Sequence, residues 1–113
     1  MAKYTAKIQA DFDDFSQYIT DEIVKGSMSA NLEDTYATEM NGVRCRVQVY
    51  ERYSLLGGNR VSLNVTMLAD GKEIHLCAIT SGGSQAVYFK LNTMGEDSFL
   101  EKLQQAVARY QSR

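Results

Sequence analysis

Two stretches of strict alternation, each set beside a glycine turn, constrain this chain more than any other feature. Val43, Cys45, Val47 and Val49 alternate with Arg44, Arg46, Gln48 and Tyr50; Val61, Leu63, Val65 and Met67 alternate with Ser62, Asn64 and Thr66. A repeat of two residues sends successive side chains to opposite faces, so both stretches read as strands with one dry face. Asn41-Gly42 precedes the first and Asp70-Gly71 follows the second. Both dipeptides enter positive φ readily and suit two-residue type I′ turns between antiparallel strands. Leu55-Leu56-Gly57-Gly58-Asn59 and Ser81-Gly82-Gly83-Ser84 add two more turns, so four turns predict five hairpin-linked strands, the flanking ones near 28–40, 73–80 and 85–91. The segment 73–80 is apolar on both parities, which leaves its dry face open.

Before this meander, Tyr4, Ala6, Ile8 and Ala10 alternate with Thr5, Lys7 and Gln9, predicting a strand over 3–10. Asp11 offers an N-cap, Asp13 and Asp14 suit the positive helix end, and Phe12, Phe15, Ile19 and Ile23 recur at helical spacing. Gly26 is placed to end that helix as its C′ residue. After the meander, Thr93-Met94-Gly95-Glu96 reads as a capping box, followed by a stripe of Phe99 or Leu100, Leu103, Val107 and Tyr110. The absence of proline agrees with strands that are all hydrogen-bonded.

At 113 residues, 44% of them hydrophobic and 23% charged, the chain suits one ordered domain over 1–113. The expected class is α+β: strand, helix, five-stranded antiparallel meander, helix, with both helices on one face of the sheet. That element order resembles the helix-grip, or TATA-binding-protein-like, arrangement of lipid- and small-ligand-carrying proteins.

Twelve basic against fourteen acidic residues give a net charge of −2, so no global field draws a phosphate backbone and nucleic acid is not an expected partner. No apolar run approaches a membrane span or a signal-peptide core, and a cytoplasmic location without membrane contact is expected. Cys45 and Cys77 fit no metal spacing and read as free thiols in a reducing compartment. With His75 as the lone histidine, no metal and no cofactor is expected. Nor is a catalytic residue assigned, because His75 and the cysteines show no partner that would activate them.

Two groups of residues remain as candidates. Arg44, Arg46, Arg52 and Arg60, joined by Tyr50, are expected on the polar face of adjacent strands, as a basic stripe that binds an anion or is simply solvated or buried in a dimer. Glu33 and Glu39 on the preceding strand would neutralise it by cross-strand pairing. Glu51 and Tyr53 share parity with Val43, Cys45, Val47 and Val49, and so mark either a polar anchor at a cavity mouth or a strand end open to water. Tyr36 and Met67 are further candidate walls of such a cavity, although packing alone would explain both. The Ser81–Ser84 turn lacks a following helix and reads as a hairpin, not an anion cradle.

The segments Arg44-Cys45, Val49-Tyr50-Glu51-Arg52-Tyr53-Ser54, Gly57-Gly58-Asn59-Arg60-Val61-Ser62-Leu63 and Ala78-Ile79-Thr80-Ser81-Gly82-Gly83-Ser84-Gln85-Ala86 carry a sharper resemblance. They look like those of a family of small, uncharacterised bacterial proteins, a domain of unknown function, over most of the chain. The resemblance implies a stand-alone bacterial cytosolic protein and brings no site residues with it. Two functions are therefore expected in order: a non-enzymatic interaction module or homo-oligomer using the arginine and tyrosine face, then a carrier of a small apolar ligand held between the sheet and the C-terminal helix.

Overall fold

Asp11 caps the first helix as its side chain allows, its carboxylate accepting the Asp14 amide proton at 2.9 Å. The computed structural model describes residues 1–26, 28–54, 59–82 and 89–113. It runs β1 (Ala2–Gln9), α1 (Phe12–Val24), β2 (Asn31–Met40), β3 (Val43–Ser54), β4 (Asn59–Asp70), β5 (Glu73–Gly82) and α2 (Phe89–Gln111). Gly26 follows the C-cap Lys25 for want of space: a Cβ there would stand 2.7 Å from the Glu22 carbonyl oxygen.

The class is α+β, with a five-stranded antiparallel sheet in the order β1-β5-β4-β3-β2. Five is the count with β1 included, so among the described residues the meander has four strands. Of the fifth meander strand expected near 85–91, residues 85–88 lie outside the described residues, as do 83–84 of the turn expected before it, and Phe89–Leu91 open α2. Thr93–Glu96 consequently sit inside that helix instead of capping it. The cause is length, because three alternating apolar positions near a segment end fit a helical turn as well as a strand.

Two tight hairpins set the registers. Asn41 and Gly42 have φ of 54° and 83° between the paired Met40 and Val43, which is the type I′ geometry expected of Asn-Gly. At the other hairpin Asp70 pairs with Glu73, so the loop is Gly71-Lys72, with Gly71 at φ 62° in the first central position. That is the type II′ arrangement, one residue later than the Asp-Gly reading.

Both helices cover the same face. Phe12, Phe15, Ile19 and Ile23 of α1 join Phe99, Leu100, Leu103, Ala106 and Val107 of α2 in one buried cluster with Ile8, Val61, Leu63, Val65, Met67, Ile74, Leu76 and Ala78. Burying each large aliphatic contributes about 1.5–3 kcal/mol before conformational entropy is counted. The helices are tied together by the Tyr18 hydroxyl, which donates to the Ala106 carbonyl at 2.7 Å, and by the Phe15 and Tyr110 rings, edge to face at 5.0 Å.

β3 departs from expectation. Tyr50 pairs with Leu63, Gln48 with Val65 and Arg46 with Met67, so its polar parity shares the helix-covered face with the core of β4. Val43, Cys45, Val47 and Val49 lie on the opposite, open face. The physical reason is register: a shift of one residue exchanges every side chain between faces, and alternation alone does not fix it.

Candidate functional site

Under the helices, α1 meets β3 with the polar groups that its arginines need. Arg44 donates to both Asp13 carboxylate oxygens, at 2.7 and 3.3 Å, and Arg46 reaches the same carboxylate at 3.4 Å. Both guanidinium groups lie about 5 Å from the Phe12 ring centre, at 4.9 and 5.0 Å. The Arg44 hydrogen bond is the main cause that holds the Asp13 carboxyl below its ordinary pKa. Glu39, the cross-strand partner of Arg44, adds attraction to it. Arg52 stacks its guanidinium 4.2 Å from the Phe99 ring centre and points one nitrogen at the Met28 carbonyl, 3.5 Å away. Burial lowers its pKa.

Tyr50 is fully buried, its hydroxyl donating to Gln48 Oε1 at 2.6 Å and lying 3.2 Å from the Thr20 hydroxyl oxygen. Burial is the first cause that raises its pKa. The expected basic stripe therefore does not form on a solvent face. Arg44, Arg46, Tyr50 and Arg52 share the face that bears the helices, Tyr50 buried and Arg44 and Arg46 at the margin of α1 with side chains 40% and 22% exposed.

Arg60 is on the other face, where its Nη1 donates to Glu51 Oε1 at 2.8 Å and its guanidinium lies 5.8 Å from the Tyr53 ring centre. Glu51 and Tyr53 do share a hollow of about 420 Å³ with Arg52, Arg60, Met28, Ser29, Asn31 and Glu33. Its carboxylate and guanidinium satisfy each other, so the hollow does not leave Glu51 as a bare anchor. Tyr36 lines a separate depression of about 120 Å³ with Asp34, Thr35, Val47 and Val49. Met67 is fully buried in the core. Sequence reasoning thus grouped four ligand candidates that the fold sends to three places. Between the sheet and α2, where an apolar ligand was expected, Leu63, Val65, Met67, Phe99 and Leu103 are all 0% exposed.

What sequence reasoning missed is the open face. Reading across the strands from β1 to β2, Lys3, Ile79, Asn64, Val49 and Asp34 form one row; Thr5, Cys77, Thr66, Val47 and Tyr36 form the next; Lys7, His75, Leu68, Cys45 and Thr38 form the third. Among the described residues no helix covers these rows or the next one, which ends in Met40, and Tyr36 is 63% exposed, Met40 75%, Leu68 45% and Ile79 37%. Large exposed apolar side chains on an uncovered sheet face make it the candidate contact surface. The signal was present in 73–80, where Cys77 and Ile79 on the open parity stand beside Ile74, Leu76 and Ala78 on the covered one.

The face is uneven in shape and charge. Its β1–β5–β4 half holds a depression of about 390 Å³ lined by Thr5, Lys7, Thr66, Leu68, His75 and Cys77. Its β3–β2 half projects Tyr36 and Met40. The β1 margin carries Lys3 and Lys7; the β2 margin carries Glu33 and Asp34, at a bulge between Leu32 and Asp34. His75 is exposed, its Nε2 2.6 Å from Glu73 Oε2, and both cysteines are free and half-buried on this face. Among the described residues no group of three His, Cys, Asp or Glu side chains could hold a metal ion, and no helix is long and apolar enough to cross a membrane.

Residues 1–111 match the model of a family described as of unknown function (DUF6054). No curated protein and no solved structure matches the chain significantly.

Proposed function

We propose that this chain, which belongs to the DUF6054 family of unknown function and takes no activity from that membership, is a non-enzymatic protein-interaction module whose contact surface is the open face of its sheet. The observation that carries the reading is the exposure of Tyr36, Leu68, Ile79 and Met40 together with the half-buried Val43, Cys45, Val47 and Val49 on a face that no helix covers. Leaving such a patch in water forgoes about 25 cal/mol for every Å² of apolar surface that a partner would cover. The arginine and tyrosine stripe, the surface first expected to serve, contributes to the fold instead by holding α1 on β3.

The margins favour contact through the face over addition of strands at an edge. β2 is exposed along its whole length, but its bulge, Glu33 and Asp34 make it a poor template for another strand. A reducing, cytosolic setting fits the reading, since Cys45 and Cys77 lie on this face as free thiols.

Those thiols provide the test. Cys45 and Cys77 should react with maleimide several-fold more slowly inside cells of the source organism than in dilute purified protein, and Val47→Asp should abolish the difference. Equal labelling rates in the two settings would refute the face as a working surface.

A further inference from the structure

We infer that the occupant of the open face is a second copy of this chain, related by a twofold axis that runs parallel to β4 midway between the two sheets. The inference rests on the proposed use of that face and adds the partner and its orientation. β4 is the central strand of the order β1-β5-β4-β3-β2. Rotation about an axis along it places β1 of one copy over β2 of the other and keeps each row opposite itself.

Three properties of the face fit that operation. The first is charge: Lys3 and Asp34 end the same row at opposite margins, so each Lys3 comes over the partner's Asp34, with Glu33 beside it. A twofold axis perpendicular to the strands would instead stack β1 on β1, setting lysines against lysines. The second is shape: Tyr36, 63% exposed, is carried over the partner's depression between Thr5, Thr66, Leu68, His75 and Cys77, and the reciprocal contact fills the other. A surface that is both knob and socket for itself is what an isologous pair needs. Along the axis, Asn64, Thr66 and Leu68 meet their own copies, as does the exposed Asp70 at the hairpin end of the strand.

The third is area. Five strands at roughly 4.8 Å spacing and four rows at about 7 Å spacing, the three above and that of Gln9, Glu73, Asp70, Val43 and Met40, give a face of roughly 700 Å² per copy. Two copies would bury about 1,400 Å² in total, inside the range of roughly 1,200–2,000 Å² typical of stable complexes. Sheets packed in this aligned way stand about 10 Å apart and cross near −30°, a rotation that moves the margins by about one residue and keeps Lys3 within reach of the partner's Glu33–Asp34 bulge.

Charge exchange tests the arrangement on the purified full chain, by sedimentation equilibrium and light scattering across low to high micromolar concentration. The wild-type chain is expected to dimerise. Lys3→Glu alone, and Asp34→Lys alone, should each weaken the dimer roughly tenfold, because each dimer contains the margin contact twice. Lys3→Glu combined with Asp34→Lys in one chain should restore it, and Tyr36→Ala should weaken it by tenfold or more. All four residues substituted or tested lie on the surface, and circular dichroism will verify that each variant folds.

A chain that stays monomeric to several hundred micromolar overturns the second copy as partner, while the thiol-protection result still decides whether the face is used. A dimer indifferent to the single charge reversals overturns the axis along β4. A dimer that survives Leu68→Glu overturns contact through the face altogether.

Discussion

β3 and β4 are neighbours of equal length and nearly equal pattern, and they spend their aliphatic residues on opposite sides of the sheet. In β4 the aliphatic parity, Val61, Leu63, Val65 and Met67, is 0% exposed under the helices. In β3 the corresponding parity faces outward, and the covered side is given to Arg44, Arg46, Gln48, Tyr50 and Arg52. The difference lies in what each strand meets above it. α2 packs over β5, β1 and β4, whereas β3 lies toward the other margin, where Asp13 and Thr20 of α1 and the Phe12 and Phe99 rings receive cations and hydroxyls. Alternation therefore reports a strand, and the chemistry of the overlying helix reports which parity is covered.

The widest gap between the two strands should come from placing a carboxylate on equivalent aliphatic positions. Val65→Asp buries it among Leu63, Met67 and α2 and should cost about 3–5 kcal/mol or more, enough to leave little folded protein. Val47→Asp should keep the monomer within about 1 kcal/mol of wild type, as read by urea denaturation in dilute solution. Truncation gives a smaller contrast in the same direction. Leu63→Ala should lose about 2–5 kcal/mol by leaving a cavity, and equal losses for Leu63→Ala and Val49→Ala would contradict the face assignment.

A change on the covered side of β3 sharpens the comparison. Tyr50→Phe removes the donor to Gln48 and should cost about 1–2 kcal/mol in chemical denaturation, more than a surface tyrosine such as Tyr36→Phe. The smallest effect concerns Asp13. Its pKa is lowered in the fold, first by the Arg44 hydrogen bond, so its stabilising contribution is present above the unfolded carboxylate pKa and disappears as pH falls through the lower folded value. Asp13→Asn should accordingly lower the thermal midpoint slightly at neutral pH and leave it unchanged at a pH where the Asp13 carboxyl is protonated in the folded and unfolded states alike. A midpoint difference that grows on acidification would reverse the assigned sign.

Much of the fold could be read from the chain because short-range chemistry decides it. Asp11 caps α1, Asn41-Gly42 forms its type I′ turn, and the stripe of Phe99, Leu103 and Val107 packs inward as its spacing requires. What failed did so for lack of long-range information. The parity of β3 depends on Asp13 and Thr20, which precede it by some thirty residues, as in the Asp13–Arg44 pair with a separation of 31. The start of α2 at Phe89 was hidden because three alternating residues resemble a strand.

The candidate site was harder still. Glu51 and Tyr53 were recognised as neighbours, and they do share a hollow, but Arg60 neutralises it. The open face went unseen because its members come from all five strands and meet only through the registers. Lys3 and Asp34, for instance, become ends of one row through Ile79, Asn64 and Val49.

The pairing of β1 with β5 has a consequence for how the molecule is made. Ala2 finds Thr80, 78 positions later, so β1 leaves a ribosome well before the strand that becomes its neighbour. At about 5–20 residues per second that wait is roughly 4 to 16 s. In the meantime β2 with β3 and β4 with β5, each pair joined by a two-residue turn, zip locally. During those seconds Ile8 and the greasy side of α1 travel without the strands that cover them in the finished fold.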